Sequence, residues 1–243
     1  MQNITLWFQL GTLGMIGGTL AMGYALWRVP GETAREDWLL VGVGGIATVA
    51  YALLTVGFGT VSGSNGHTVY VVRYVDWLLT TPMHVAFLAI IAGASGRRLW
   101  ELVGFQAATI LFGLAGAIVS GPAKWTLFAV GGLTFGRVLW LLYGPVTDAV
   151  RERDEGTAGI HRTLLNFVAV LWLVYPVIWI LAPSGIGAMD LETQALVVTY
   201  IDVVAKVGFG LIALNWRAVD AVVGGEATEA DAEPAAEDVS TAD

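Results

Sequence analysis

The stretch Tyr200-Ile-Asp202-Val-Val-Ala-Lys206-Val-Gly-Phe-Gly210 decides the fold, because it places a lysine in the middle of a long apolar run. A charge in hydrocarbon costs a few kcal/mol on insertion scales, so an ionisable residue there is a functional candidate by default. Asp202 lies four residues earlier, one helical turn away on the same face. A buried amine is the usual starting point for a Schiff base with an aldehyde. A purely structural pair between Lys206 and Asp202 is the alternative interpretation.

The whole chain has the composition of a membrane protein. Of its 243 residues 56% are hydrophobic and 13% charged, against roughly 25% charged in a soluble domain. Seven runs reach the length of about 20 apolar residues that a membrane helix needs. They cover 3–27, 37–60, 67–93, 100–120, 123–144, 162–183 and 190–217. We predict an all-α membrane fold, a seven-transmembrane-helix bundle, and the Gly/Ser/Asn break at 62–66 leaves room for a short hairpin.

The end of the chain has a different character. Residues 226–243 carry seven acids, no lysine or arginine, and no apolar periodicity, which predicts a disordered acidic tail. We therefore divide the chain into a membrane domain, 1–220, and a tail, 221–243. The acidic charge argues against nucleic acid as a partner, and the absence of cysteine excludes a disulfide or thiolate metal site. No metal site is predicted.

Lysine and arginine in the loops predict the orientation, since loops rich in these residues stay in the cytoplasm. One side holds Arg28, Arg35, Arg97, Arg98, Arg151, Arg153, Arg162 and Arg217. The other side holds Lys124. We expect a multi-pass protein of the cell membrane, seated in the lipid bilayer, with its N-terminus outside and its C-terminus in the cytoplasm.

Span three contains a second polar cluster, Arg73-Tyr-Val-Asp76-Trp77-Leu-Leu-Thr80-Thr81-Pro82. The spacing i, i+3, i+4 and i+7 aligns a cation, an anion, an indole and a hydroxyl on one helical stripe. Asp76 is therefore a second carboxylate available to Lys206, and Arg73 balances the two acids.

Span six carries an aromatic stripe, Trp172-Leu-Val-Tyr175-Pro176-Val-Ile-Trp179. Such a stripe is more often packing or an interfacial belt than a cofactor site. Here it lies in the middle of the membrane, where it would meet Trp77 around an apolar slot suited to a long conjugated ligand.

Together, the three clusters in spans three, six and seven resemble those of the haloarchaeal microbial rhodopsins, closest to sensory rhodopsin II and middle rhodopsin. The resemblance covers all seven spans. It implies an all-trans retinal bound as a protonated Schiff base on Lys206, with Asp76 as primary counterion and proton acceptor and Asp202 as the second. It also implies that Arg73 lies on the outward path and that Thr80 hydrogen-bonds Asp76.

The same resemblance assigns the remaining site residues. The polyene would be sandwiched by Trp77, Trp172, Tyr175 and Trp179, with Thr81 and His84 also at the chromophore. Tyr51 would complete the counterion network. Light isomerises the retinal in this family, and the Schiff-base proton passes to the carboxylate; the resemblance therefore implies that this protein is not an enzyme.

One position separates a sensor from a pump. Proton pumps of this family carry a carboxylate eleven residues after the counterion, where this chain has Phe87, and their outer glutamates are matched by Ser184 and Gln194. A phenyl ring cannot donate a proton, so the deprotonated state should be long-lived, which suits signalling. Tyr200 matches a tyrosine that helps sensory rhodopsin II contact a two-helix membrane transducer. We expect a phototaxis photoreceptor, with an outward light-driven proton pump as the alternative.

Three residues qualify the subtype. Ala205 replaces a threonine of some sensory rhodopsin II receptors and matches pumps and middle rhodopsin, and Phe167 stands where sensory rhodopsin I has a histidine. His84 stands where relatives carry an aliphatic residue. It tunes colour, relays a proton, or is a neutral histidine bonded to a neighbouring helix. The sequence leaves monomer and homo-oligomer both open.

Overall fold

The computed structural model describes residues 3–28, 35–217 and 219. The predicted acidic tail, 221–243, lies outside the described residues. Within them, seven helices are long and apolar enough to span a membrane: α1 Ile4–Arg28, α2 Asp37–Thr55, α3 Val71–Ile91, α4 Arg97–Ile118, α5 Pro122–Val150, α6 Glu155–Leu181 and α7 Leu191–Arg217. The prediction of a seven-helix membrane bundle is confirmed.

A short hairpin joins α2 to α3, as the Gly/Ser/Asn break allowed. Strands β1 (Thr60–Ser62) and β2 (Thr68–Tyr70) pair antiparallel. Gly57 and Gly59 precede β1 with positive φ angles of 74° and 71°, a conformation that glycine adopts at little cost. The second span therefore ends at Thr55 rather than at residue 60.

Two helices extend further than the apolar runs suggested. Helix α5 continues to Val150 through a π-helical turn, Leu142–Val146, and α6 begins at Glu155 instead of residue 162. Asp154 caps α6, since its side chain accepts a hydrogen bond from the backbone N–H of Thr157 at 2.7 Å. Hydropathy detects only the part of a helix in hydrocarbon, whereas these polar ends continue the helix beyond it.

Sequential neighbours pack together, and α1 closes the bundle by packing against α7. Glycines on α1 allow that approach: a side chain at Gly18 would collide with Val207, and one at Gly11 with Tyr51 and Thr199. Small residues play this role between membrane helices, where backbones must come close.

The arginines of the loops lie at one end of the bundle, as predicted. Arg217 contacts Glu36 at 3.0 Å and Asp37 at 3.3 Å, which joins the end of α7 to the start of α2. Lys124 lies at the other end, where Nζ donates to the backbone carbonyl of Gly185 at 2.7 Å. The first end is called the basic end below, and the second the hairpin end.

Candidate functional site

A buried lysine and two buried carboxylates form the centre of the bundle. Nζ of Lys206 lies 2.6 Å from Oδ2 of Asp76 and 3.6 Å from Oδ2 of Asp202. The lysine side chain is 3% exposed and each carboxylate 1%. Buried charges persist only where they are paired and hydrogen-bonded. The partners that the spacing indicated, one on α7 and one on α3, are therefore both in contact with the amine.

Asp202 is held by three further donors from three helices. Tyr51 Oη on α2 donates to Oδ2 at 2.7 Å, and Trp77 Nε1 on α3 donates to Oδ1 at 3.0 Å. Tyr175 Oη on α6 also donates to Oδ1. Hydrogen bonds to an ionised acceptor are about twice as strong as neutral ones. This arrangement fixes the position of Asp202.

Asp76 has fewer partners. Thr80 Oγ1 donates to the backbone carbonyl of Asp76 at 2.8 Å and lies 3.4 Å from its carboxylate Oδ1. The expected bond from Thr80 to the carboxylate is thus the longer of the two. Lys206 is its one short side-chain contact among the described residues, so fewer bonds hold the carboxylate of Asp76 than hold that of Asp202.

Arg73 lies deeper among aromatic rings than the sequence suggested. It is 3% exposed, and its guanidinium carbon lies 5.4 Å from the ring centroid of Phe8 and 5.5 Å from that of Tyr70. No carboxylate of a described residue lies within 4.0 Å of it, and its Nε and Nη2 have no hydrogen-bond partner there. It borders a small polar cavity of about 20 Å³ with Ser184 and Gln194. Arg73 can therefore offset the negative charges of Asp76 and Asp202 only over a distance, without direct contact.

A larger apolar cavity of about 150 Å³ opens beside Lys206 and Asp202. Its walls include the predicted side chains Trp77, Thr81, His84, Trp172, Tyr175 and Trp179. An apolar slot with few polar groups is the usual form of a site for a conjugated ligand. The sequence contains two lysines, and the amine of Lys124 is bonded to the Gly185 carbonyl at the hairpin end. Lys206 is the lysine that lines the cavity. An amine in an apolar cavity fits an apolar cofactor that carries an aldehyde.

The sequence interpretation missed the walls that α4 and α5 supply. These include Gln106, Ile110, Gly113, Phe128, Gly131, Gly132 and Phe135. Gln106 is 2% exposed, and its Nε2 donates to Thr81 Oγ1 at 2.9 Å. A polar residue inside span four was a detectable signal, whereas nothing in the sequence marked the glycines of α5.

His84 and Phe87 lie on the basic-end side of the site. Nδ1 of His84 lies 2.9 Å from the backbone carbonyl of Thr80, so its short bond is to its own helix, and a weaker contact reaches the backbone of Ala205 on α7. Phe87 is 2% exposed and meets Phe209 edge-on at 5.8 Å between centroids. At the position where a proton pump would carry its proton donor, this structure therefore has a buried phenyl ring packed against another.

Tyr200 lies apart from the cavity. It is 69% exposed on the outer surface of α7, while the other predicted binding residues are in the interior. An exposed tyrosine in a lipid-facing position is free to meet another membrane helix.

The chain is similar to known proteins along most of its length. A family model described as bacteriorhodopsin-like protein matches residues 2–219. The chain is 54% identical over 215 residues to sensory rhodopsin-2 of Haloarcula vallismortis, which covers 88% of this chain and 91% of that relative. It is 37% identical over 220 residues to archaerhodopsin-1 of Halorubrum ezzemoulense, covering 88% of this chain and 85% of that relative.

A solved structure shares the same arrangement of helices. The thermophilic rhodopsin from Rubrobacter xylanophilus superposes with a TM-score of 0.86 at 31% identity, over 91% of this chain and 99% of that one. The chain belongs to the bacteriorhodopsin-like family. It is a multi-pass membrane protein, and the family implies a retinal chromophore.

Proposed function

We propose that this chain is a retinal-binding photoreceptor of the sensory rhodopsin II type, which signals phototaxis through a two-helix membrane transducer. The observation that carries the proposal is Phe87, a buried phenyl ring at the position where a pump requires a proton donor. The 54% identity to sensory rhodopsin-2 of Haloarcula vallismortis supports the same function.

The proposed attachment point is the amine of Lys206. The buried amine faces an apolar cavity, and the two carboxylates beside it match the positive charge that an all-trans protonated Schiff base carries. When bound, the retinal supplies light absorption and isomerisation. The aromatic walls from α3 and α6, Trp77, Trp172, Tyr175 and Trp179, would confine the polyene and exclude water.

Asp76 is the proposed proton acceptor. At 2.6 Å, the N–H of Lys206 already points at its carboxylate, so transfer breaks the N–H bond and forms an O–H bond with almost no movement of heavy atoms. Asp202, held by three donors, would be the second counterion. Thr80 would stabilise the helical turn that positions Asp76.

Return of the proton would be slow. On the basic-end side of Lys206 the path meets Phe87, Leu88 and Phe209, each at most 2% exposed. None of these side chains can carry a proton, so the deprotonated state would last long enough to be read by a partner.

Tyr200 would contribute to the transducer contact, since it is exposed on α7. The proposed orientation puts the basic end in the cytoplasm, with the N-terminus outside. The acidic tail, 221–243, would then extend into the cytoplasm from the membrane domain, 1–220.

An outward proton pump is the second candidate. The short contact between Lys206 and Asp76 favours it, because the first proton transfer of a pump needs the same geometry. The 37% identity to archaerhodopsin-1 is consistent with this candidate as well.

Flash photolysis combined with light-driven pH measurement tests the proposal. We expect a deprotonated state that decays much more slowly than milliseconds, and a large acceleration in the variant Phe87→Asp, which restores a carboxylate. Leu88→Asp, one residue away, is the matched control for a buried acid in the wrong position. Sustained acidification at the rate of a proton pump, measured in parallel, would contradict a purely sensory function.

A further inference from the structure

We propose that His84 is a second proton-exchange site for the nitrogen of Lys206, on the basic-end side of the cavity. The inference rests on the proposed function and deepens it. Asp76 would accept the proton on the hairpin side, and His84 would return one from the other side.

The position of His84 follows from α3. It lies eight residues after Asp76, about 12 Å further along the helix toward the basic end. Its ring borders the same cavity as Lys206, beside the backbone of Ala205. Since Ala205 and Lys206 are consecutive, the lysine side chain begins at the level of His84 and ends at Asp76, 2.6 Å from its carboxylate. The lysine side chain therefore connects the levels of the two proposed proton sites.

The hydrogen bonds of His84 define its tautomer. A carbonyl oxygen only accepts, so Nδ1, 2.9 Å from the Thr80 carbonyl, carries the hydrogen. In a neutral ring Nε2 is then a bare acceptor. This atom is buried and makes no hydrogen bond of normal geometry among the described residues, and a weaker contact joins the ring to the backbone of Ala205 on α7. Buried polar atoms without partners are rare because they cost free energy of folding. With the hydrogen on Nδ1, Nε2 is the one position on this ring that can still bind a proton.

Packing holds the ring in place. Phe209 meets it edge-on at 4.8 Å between centroids, and Trp172 at 6.0 Å. Neither ring carries a charge. Besides His84, the ionisable groups that face the cavity are Lys206 and Asp202 from α7, Tyr175 from α6 and Tyr74 from α3, with Asp76 on α3 bonded to the lysine.

These charges oppose protonation of both nitrogens at once. While Lys206 is positive, it repels a second cation in the same low-dielectric cavity, although the carboxylates of Asp76 and Asp202 offset part of that repulsion. Once Lys206 has lost its proton to Asp76, that repulsion disappears and Nε2 becomes able to bind a proton from the solvent at the basic end. The imidazolium then releases it: the Nε2–H bond breaks, the proton crosses the cavity that both residues border, an N–H bond forms on the nitrogen of Lys206, and His84 is neutral again.

Phe87 makes this route slow. It lies one turn beyond His84 toward the basic end and packs on Phe209, the same ring that holds His84. A proton must cross this apolar layer before it reaches Nε2. The arrangement therefore yields a slow but definite return of the proton, in place of the fast return that a carboxylate at position 87 would give.

The first test needs no chromophore. Nitrogen-15 NMR of histidine-labelled full-length protein in lipid at neutral pH, assigned by difference with His84→Asn, should show Nδ1 protonated and Nε2 bare. An Nε2-protonated neutral ring would overturn the proposal.

The second test uses the retinal-bound protein. His84→Leu should slow the decay of the deprotonated state at least tenfold, and azide, a small proton carrier, should restore the rate. His84→Asn keeps an N–H for Thr80 but has no exchangeable ring proton, so it should be equally slow even if the leucine variant folds poorly. His161→Leu, which alters another fully buried histidine, on α6, should decay like the wild type. Decay of both His84 variants within twofold of the wild type would refute the role of His84, whereas failure to form any coloured protein would refute the proposed function itself.

Discussion

The amine of Lys206 on α7 and the carboxylate of Asp76 on α3 are 130 residues apart in sequence and 2.6 Å apart in space, both almost inaccessible to solvent. This pair joins the two helices that carry most of the ionisable groups in the core.

Lys206→Ala should abolish visible colour after addition of retinal, because the attachment amine is gone. Lys124→Ala removes the other lysine, which donates to the Gly185 carbonyl at the hairpin end, and it should leave the colour in place. Absorption spectra of the two variants in membranes check this. A coloured Lys206→Ala protein would contradict attachment at this residue.

Asp76→Asn should shift the absorption to longer wavelength and stop light-driven deprotonation, since the neutral amide neither localises the positive charge nor accepts a proton. Asp202→Asn removes the carboxylate that Tyr51, Trp77 and Tyr175 hold in place. We expect this variant still to transfer a proton to Asp76. Flash photolysis measures the proton transfer in both variants. If both lose it equally, the two acids do not have different roles.

Tyr51→Phe should lower stability by about 1.5–3 kcal/mol, the value of a hydrogen bond to a charged group, because its hydroxyl donates to Asp202 at 2.7 Å inside the bundle. Tyr24→Phe, at a side chain that is 54% exposed, should change little. Thermal loss of colour in detergent measures both. In an Asp202→Asn background the cost of Tyr51→Phe should become much smaller, and an unchanged cost would show that the hydroxyl acts elsewhere.

Gly11→Ala should destabilise the protein by about 1–3 kcal/mol, the usual cost of overpacking. The added methyl group would collide with the ring of Tyr51 and the side chain of Thr199, and so disturb the tyrosine that holds Asp202. Gly17→Ala, on the same helix with nothing within 4 Å of the new atom, is the matched control. Chemical unfolding of the purified protein should show neutral or slightly raised stability for that control.

Asp190 should make the start of α7 sensitive to acid. Its carboxylate accepts the backbone N–H and the hydroxyl of Thr193, both at 2.8 Å, and these bonds lower the pKa of Asp190. A carboxyl group whose pKa is lower in the folded state stabilises the fold at any pH above its ordinary pKa of about 3.9. This stabilisation is lost as the pH falls through the pKa of the folded state.

The thermal midpoint of the wild type should therefore drop toward that of Asp190→Ala as the solution becomes strongly acidic, with the two separated at neutral pH. The effect should be small because the carboxylate is exposed. Asp190→Asn keeps a capping oxygen but does not titrate, so its difference from Asp190→Ala should not vary with pH. A constant gap between the wild type and Asp190→Ala across the acidic range would rule out this linkage.

The local pattern of the sequence was sufficient for the fold class and most of the central site. Seven apolar runs predicted seven helices, and the spacing of Asp202 and Lys206 predicted their contact, because one helical turn brings residues i and i+4 together. The stripes on spans three and six likewise identified residues that line the cavity.

Tertiary structure decided everything that depends on how the helices are rotated and placed. The sequence did not show that Asp202 receives three donors while Asp76 receives few, nor that Arg73 lies against Phe8 and Tyr70 without a carboxylate in contact. It also did not reveal that α4 and α5 complete the cavity. The physical reason is that hydrophobic and helical periodicity act within one segment, whereas the partner of a buried polar atom is set by packing among segments far apart in the chain.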